Sequence, residues 1–206
     1  MRLRISSITN ADRVLALASS QRVVRAGEVV ALGIPRAVLS RLVESGELLR
    51  VGRGLYTSPH APLTEHHTLV EVAARVPGAV FNLLSALAFH GLTDETPHAV
   101  WIALARGSHR PGLDFVDLEL TLTATRFLEL GVDSHEVEGR TVRVTSPART
   151  VVDCFKFRSR VGLDVGLHAL RDYLRQHRQG RTELWEMAGL CRVRSVLRPY
   201  LESMST

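Results

Sequence analysis

Gly33-Ile34-Pro35-Arg36-Ala37-Val38-Leu39-Ser40-Arg41-Leu42-Val43-Glu44-Ser45-Gly46 is the stretch whose reading decides the fold. Val38, Leu39, Leu42 and Val43 recur at three-and-four spacing, which puts them on one apolar stripe of a helix. Arg36, Ala37, Ser40, Arg41 and Glu44 then fall on the opposite stripe. Gly33 ends a preceding helix, since glycine takes the left-handed conformation cheaply. Pro35 is expected at the first position of the new helix, where its missing N–H costs nothing. Gly46 stops that helix.

Working outward, residues 11–20 read as a short helix with Val14, Leu15 and Ala18 on one side, and residues 25–32 as a second. After Gly46, Leu48–Val51 and Leu55–Thr57 read as two short strands around Gly52-Arg53-Gly54. Two helices, a glycine turn, a third helix and a tight hairpin describe a winged helix-turn-helix. A helix with a polar, arginine-bearing outer stripe fits a DNA major groove. The residues expected to contact DNA are Arg36, Ser40 and Arg41 on that helix and Arg50 and Arg53 on the hairpin. Arg36 and Arg41 have the fork that pairs with guanine O6 and N7 or simply neutralises phosphates; Arg50 and Arg53 sit where they can grip the backbone or the neighbouring minor groove. Charge agrees. Residues 1–57 hold nine arginines against four acidic residues, while the rest of the chain holds 17 of each sign, so the whole excess of +5 lies in the first 57 residues. A basic segment joined to a neutral body is the footprint of a nucleic-acid-binding module.

Ser58-Pro59-His60-Ala61-Pro62 breaks regular structure. The expected domains are 1–58, the winged helix, and 62–206, a mixed α/β body, which makes the fold class α+β. In the body, a helix is expected at Thr64–Arg75 with Thr64 as its cap, then a turn at Pro77-Gly78. A short buried segment at Ala79–Phe81, a helix at Leu83–His90 and strands at Ala99–Leu104 and Val116–Leu122 follow. Glu136–Glu138 and Thr141–Val144 flank Gly139-Arg140 as a hairpin. Ser146-Pro147 opens a helix to Phe155, Leu163–Gln176 is amphipathic, and residues 182–203 hold one or two helices. The two cysteines, Cys154 and Cys191, lack paired spacing, so a reduced, cytoplasmic setting is expected. Asp12 and Arg13 interrupt any leader-like pattern, and Ala79–Leu92 is too short and polar to span a bilayer. No membrane association is expected.

Several stretches resemble the AbiEi family of type IV antitoxins. Val38–Gly46 and Leu49–Tyr56 resemble its N-terminal domain; Leu84–Leu92, Val100–Leu104 and Thr145–Cys154 resemble later parts in the same order. The resemblance implies an N-terminal winged helix that binds double-stranded DNA in the promoter of its own operon and represses it. It also implies a C-terminal domain that counteracts a separately encoded nucleotidyltransferase-like toxin, with or without direct binding. One departure is that Pro35 stands where the family often carries a hydroxyl cap. Two alternatives stay open: a transcription regulator with a ligand-sensing or dimerising second domain, and a nucleotidyltransferase enzyme.

Gly107-Ser108 followed by Asp117 and Glu119 mimics the metal-binding carboxylates of a nucleotidyltransferase. Arg110-Pro111-Gly112 stands where that enzyme needs a helix, and no third carboxylate follows, so no enzymatic activity and no catalytic residues are expected. A nuclease pattern of Glu-x-Lys is missing around Lys156, the sole lysine. His66 and His67 diverge by about 100° on a helix, and His90 and His98 lack thiol or carboxylate partners. They read as surface or capping residues. No metal and no cofactor are expected. Arg149 reads as a tie between its helix and the sheet, through Asp153, or as part of the surface that counteracts the toxin. Leu163, Leu167, Leu170 and Leu174 read as core or a dimer seam. Arg171, Arg175, Arg178 and Arg181 form a second basic cluster.

Overall fold

The computed structural model describes residues 8–59 and 64–204. The protein is mixed α and β, in two compact units. Unit one is Met1–Pro77 with Glu136–Thr141; unit two is Gly78–His135 with Val142–Thr206.

The first unit opens with α1, Asn10–Gln21, started by a capping box in which Thr9 Oγ1 accepts from the Asp12 amide and Asp12 accepts from the Thr9 amide. β1 (Val23–Arg25), α2 (Ala26–Ala31), α3 (Ala37–Glu44), β2 (Leu49–Gly52), β3 (Leu55–Thr57) and α4 (His67–Arg75) follow. The strands form an antiparallel sheet in the order β1-β3-β2. The sequence reading places Val23 and Val24 between two helices, whereas in β1 both are fully buried opposite Thr57 and Tyr56. Two consecutive β-branched residues suit a pleated surface better than a helix start. The core of this unit comprises Val14, Ala18, Val24, Val29, Ile34, Val38, Leu39, Leu42 and Leu48.

The compact division falls after Pro77, not at the Ser58–Pro62 break. The reason is α4, which packs on β1 and buries Leu69, Val70, Val72 and Ala74. Thr64 is not the cap of α4; that position is His66. Thr64 instead donates its amide and hydroxyl to Glu138, at 3.0 and 2.6 Å. Glu138 and Gly139 form the turn of the later hairpin, one residue earlier than expected, both with positive φ (51° and 71°). That is the combination a type I′ hairpin turn needs. A glutamate in this conformation is uncommon. Here its carboxylate is fixed by Thr64 and by His67 Nδ1 at 2.9 Å. Gly139 admits no side chain: a Cβ would stand 1.8 Å from the Ser20 carbonyl oxygen.

The second unit is a five-stranded sheet in the order β6-β5-β4-β8-β7, from β4 (Val80–Phe81), β5 (Val100–Ala105), β6 (Leu118–Thr123), β7 (Val132–Val137) and β8 (Arg140–Thr145). β4 runs antiparallel to β5 and parallel to β8, and β5 runs parallel to β6. Its helices are α5 (Leu83–Phe89), α6 (Pro147–Lys156), α7 (Arg158–Val161), α8 (Leu163–Gln176), α9 (Arg181–Leu190) and α10 (Arg194–Ser203). Ser146 caps α6 by accepting from the Arg149 amide, and Pro147 occupies the first turn, as the sequence indicated. α6 is the central helix, with every residue from Ala148 to Phe155 buried. Leu170 of α8 is fully buried, and Leu163, Leu167 and Leu174 pack against the same core, so that stripe is core.

Candidate nucleic-acid interface

α3 separates its two faces as its sequence dictates. Val38, Leu39 and Leu42 are buried, Val43 is half-buried, and Arg36, Ala37, Ser40, Arg41 and Glu44 are exposed. The helix does not begin at Pro35. Arg36 is its N-cap, in helical conformation and without a side-chain cap bond, and the Pro35 carbonyl accepts from the Val38 amide at 3.0 Å in a preliminary turn. Proline thus fixes the approach to the helix rather than its first residue. Gly33 and Gly46 bracket the segment with φ of 75° and 76°, a conformation that glycine alone adopts without penalty.

The arginines point outward with little to neutralise them. Arg41 Nε reaches only the Ala37 carbonyl of its own helix, at 3.5 Å. Arg50 is exposed on β2 and Arg53 is exposed in the turn between β2 and β3. Among the described residues, none of Arg36, Arg41, Arg50 and Arg53 forms an ion pair with an acid. Elsewhere the chain pairs many of its arginines, as with Arg140–Glu28, Arg143–Glu129 and Arg160–Glu119. An unpaired guanidinium gains most when a polyanion supplies its partner.

Two nearby arginines escaped the sequence reading. Arg25 ends β1 opposite Leu55, and the Ala26 amide donates to the Gly54 carbonyl at 2.9 Å, so α2 starts against the wing. Arg13 lies on the exposed side of α1 and donates to the Leu32 carbonyl at 3.3 Å. The signal for Arg25 was the Val-Val-Arg run of β1, legible only once β1 is seen as a strand.

The other motifs resolve differently. Asp117 precedes β6 and is exposed, while Glu119 is held by Arg160 at 2.8 Å, whose guanidinium also stacks over Trp101. A carboxylate already paired with arginine is a poor metal ligand. No cluster of three histidine, cysteine or acidic side chains suited to a metal forms among the described residues. His67 is not a surface residue: its ring bonds Glu138. His90 Nε2 meets the Thr145 carbonyl oxygen at 2.7 Å, and burial lowers its pKa. Arg149 is structural. It pairs with Asp153 at 2.8 Å, both almost wholly buried, and donates to the Leu130 carbonyl at 2.8 Å. Cys154 is a core residue whose thiol pKa is pushed up by burial. In the second basic cluster, Arg175 pairs with Asp172, and Arg181 donates to the carbonyls of Leu201 and Met204 at the end of α10.

Three helices, a three-stranded antiparallel sheet with a turn at Arg53-Gly54, and an arginine-bearing outer face on the third helix define a winged helix-turn-helix. Residues 12–59 match the family model described as "Transcriptional regulator, AbiEi antitoxin", a span that includes α2, α3 and all three strands. That match supports an antitoxin or transcription-regulator role. No curated protein matches the chain. Among the described residues, no helix is long and apolar enough to cross a membrane.

Proposed function

We propose that the chain is an antitoxin-type repressor that binds double-stranded DNA upstream of its own operon and counteracts a nucleotidyltransferase-like toxin. α3 lies in the major groove, where Arg36 and Arg41 meet guanine O6 and N7 and Ser40 allows close approach. Arg50 and Arg53, on the wing, neutralise backbone phosphates. The second unit, with the rest of the segment from residue 62, supplies the antitoxin activity in a cytoplasmic, cofactor-free protein. The observation that carries this reading is the outer face of α3: arginines without acidic partners, directly opposite a buried stripe, inside the segment that matches the regulator and antitoxin family. Co-expression with the product of a neighbouring nucleotidyltransferase-like gene tests the antitoxin half. Restored growth supports it; unrelieved toxicity refutes it and leaves a plain regulator.

A further inference from the structure

Three features meet at Gly52. The register of β2 against β3 shifts between Arg50 and Gly52, a bulge in the first strand of the wing. Arg50 Nε donates to the Gly52 carbonyl at 3.3 Å. The third feature comes from α4: a Cβ on Gly52 would stand 1.8 Å from Arg75 Nη2 and 3.0 Å from its Cζ. The guanidinium of Arg75 therefore fills the space a side chain at Gly52 would need. A glycine inside a strand marks close approach of another group, and a bulge bends and twists its strand. Here the group that approaches is a flat cation, seated at the bend.

Arg75 is carried by a well-buried helix. It is half-buried at the last turn of α4, whose Leu69, Val70, Val72 and Ala74 are buried in the same unit. The first turn of α4 is tied down by the bond from His67 to Glu138. The geometry points to Arg75 as a positioning residue for the wing. It sets the bend of β2, and through it the placement of Arg50 and Arg53 along the DNA backbone. The DNA-reading module then extends to α4, beyond the 12–59 segment that matches the family. A lysine would not replace it, because a single ammonium does not reproduce the forked guanidinium whose Nη2 comes nearest to Gly52.

This inference rests on the proposed role of the wing in phosphate contact, so its test has one arm without DNA. In the full chain, hydrogen exchange of amides 50–57 is compared with that of amides 37–44 in the parent, Arg75→Ala, Arg75→Lys and Gly52→Ala. The expected result is exchange about tenfold faster in the wing for all three variants, with α3 unchanged. Parental exchange in the wing, or equal acceleration in α3, overturns the inference. In the second arm, gel shifts on the upstream DNA compare Arg75→Ala, Arg53→Ala and the double variant. Arg75→Ala should lower the salt slope by about two, because the contacts of both Arg50 and Arg53 are displaced, against about one for Arg53→Ala. The double variant should be no weaker than Arg75→Ala alone. Fully additive losses overturn the positioning role. A parent that binds no DNA refutes the DNA-reading proposal, and the exchange arm then decides the role of Arg75 by itself.

Discussion

Arg149→Met isolates the buried ion pair of the second unit. In the parent, Arg149 and Asp153 expose only 5% and 2% of their side chains and meet at 2.8 Å. Arg149 also donates to the Leu130 carbonyl at 2.8 Å. The Asp153 Oδ1 atom is already buried without a hydrogen-bond partner among the described residues, so loss of Arg149 removes the hydrogen bond that Oδ2 accepts. Breaking one side of a buried pair costs about 3–5 kcal/mol. In a chain of this size that lowers the midpoint of thermal unfolding by roughly 10 °C. Arg149→Met/Asp153→Leu, which removes both charges, should recover to within about 1 kcal/mol of the parent. Acid dependence gives a second check. Burial pushes Asp153 above the ordinary carboxylate value, opposed by the attraction of Arg149 and Lys156. The folded form thus binds its proton more readily than the unfolded one, and this group makes stability fall as pH climbs from about 4 towards its raised value. Without Arg149 the opposition weakens, and the decline should extend to higher pH. Urea titrations from pH 4 to 8 measure both effects. A cost below about 1 kcal/mol, or one that does not change with pH, would refute the reasoning.

The first unit yields three further expectations. Gly139→Ala places a Cβ against the Ser20 carbonyl in a turn with φ of 71° and should destabilise this unit by about 2 kcal/mol or more, read by thermal unfolding. Burial raises the Glu138 pKa, but hydrogen bonds from Thr64 and His67 outweigh it and leave it lowered. Its contribution is therefore present above the unfolded value of about 4.3 and lost as pH falls through the lower folded value, and Glu138→Gln should abolish that part of the acid dependence of unfolding. Leu42→Ala should cost about 2–5 kcal/mol, because Leu42 is buried in the winged-helix core, whereas Ser40→Ala on the exposed face should leave stability within about 0.5 kcal/mol.

The parts of the fold that follow from local rules were legible. The apolar stripe of α3, the glycines that bracket it, the paired strands of the wing and the Ser146-Pro147 start of α6 all depend on residues within a few positions of each other. What was missed depends on distant partners. β1 is three residues long and becomes a strand because β3 pairs with it. The turn at Glu138 takes a positive φ because Thr64 and His67, more than 70 positions away, hold its carboxylate. The extension of the first unit to Pro77 follows from the packing of α4 on β1, against the proline-rich break before it. At the candidate interface, the exposed positions of Arg36, Ser40 and Arg41 were readable from periodicity, and those of Arg50 and Arg53 from the hairpin around Gly52-Arg53-Gly54. The start of α3 was not, because Arg36 itself, with no capping side chain, takes the N-cap position. Arg25 and Arg75 were missed because one belongs to the unforeseen strand and the other to a helix assigned to the second domain.

The most direct test is a gel-shift titration of the full chain on the DNA just upstream of its own gene, at two salt concentrations, beside an Arg36→Ala/Arg41→Ala variant. The account predicts tight, sequence-preferring binding that weakens with salt and is lost in the variant. Binding that shows no preference over random DNA, that survives in the variant, or that is undetectable at either salt would contradict it.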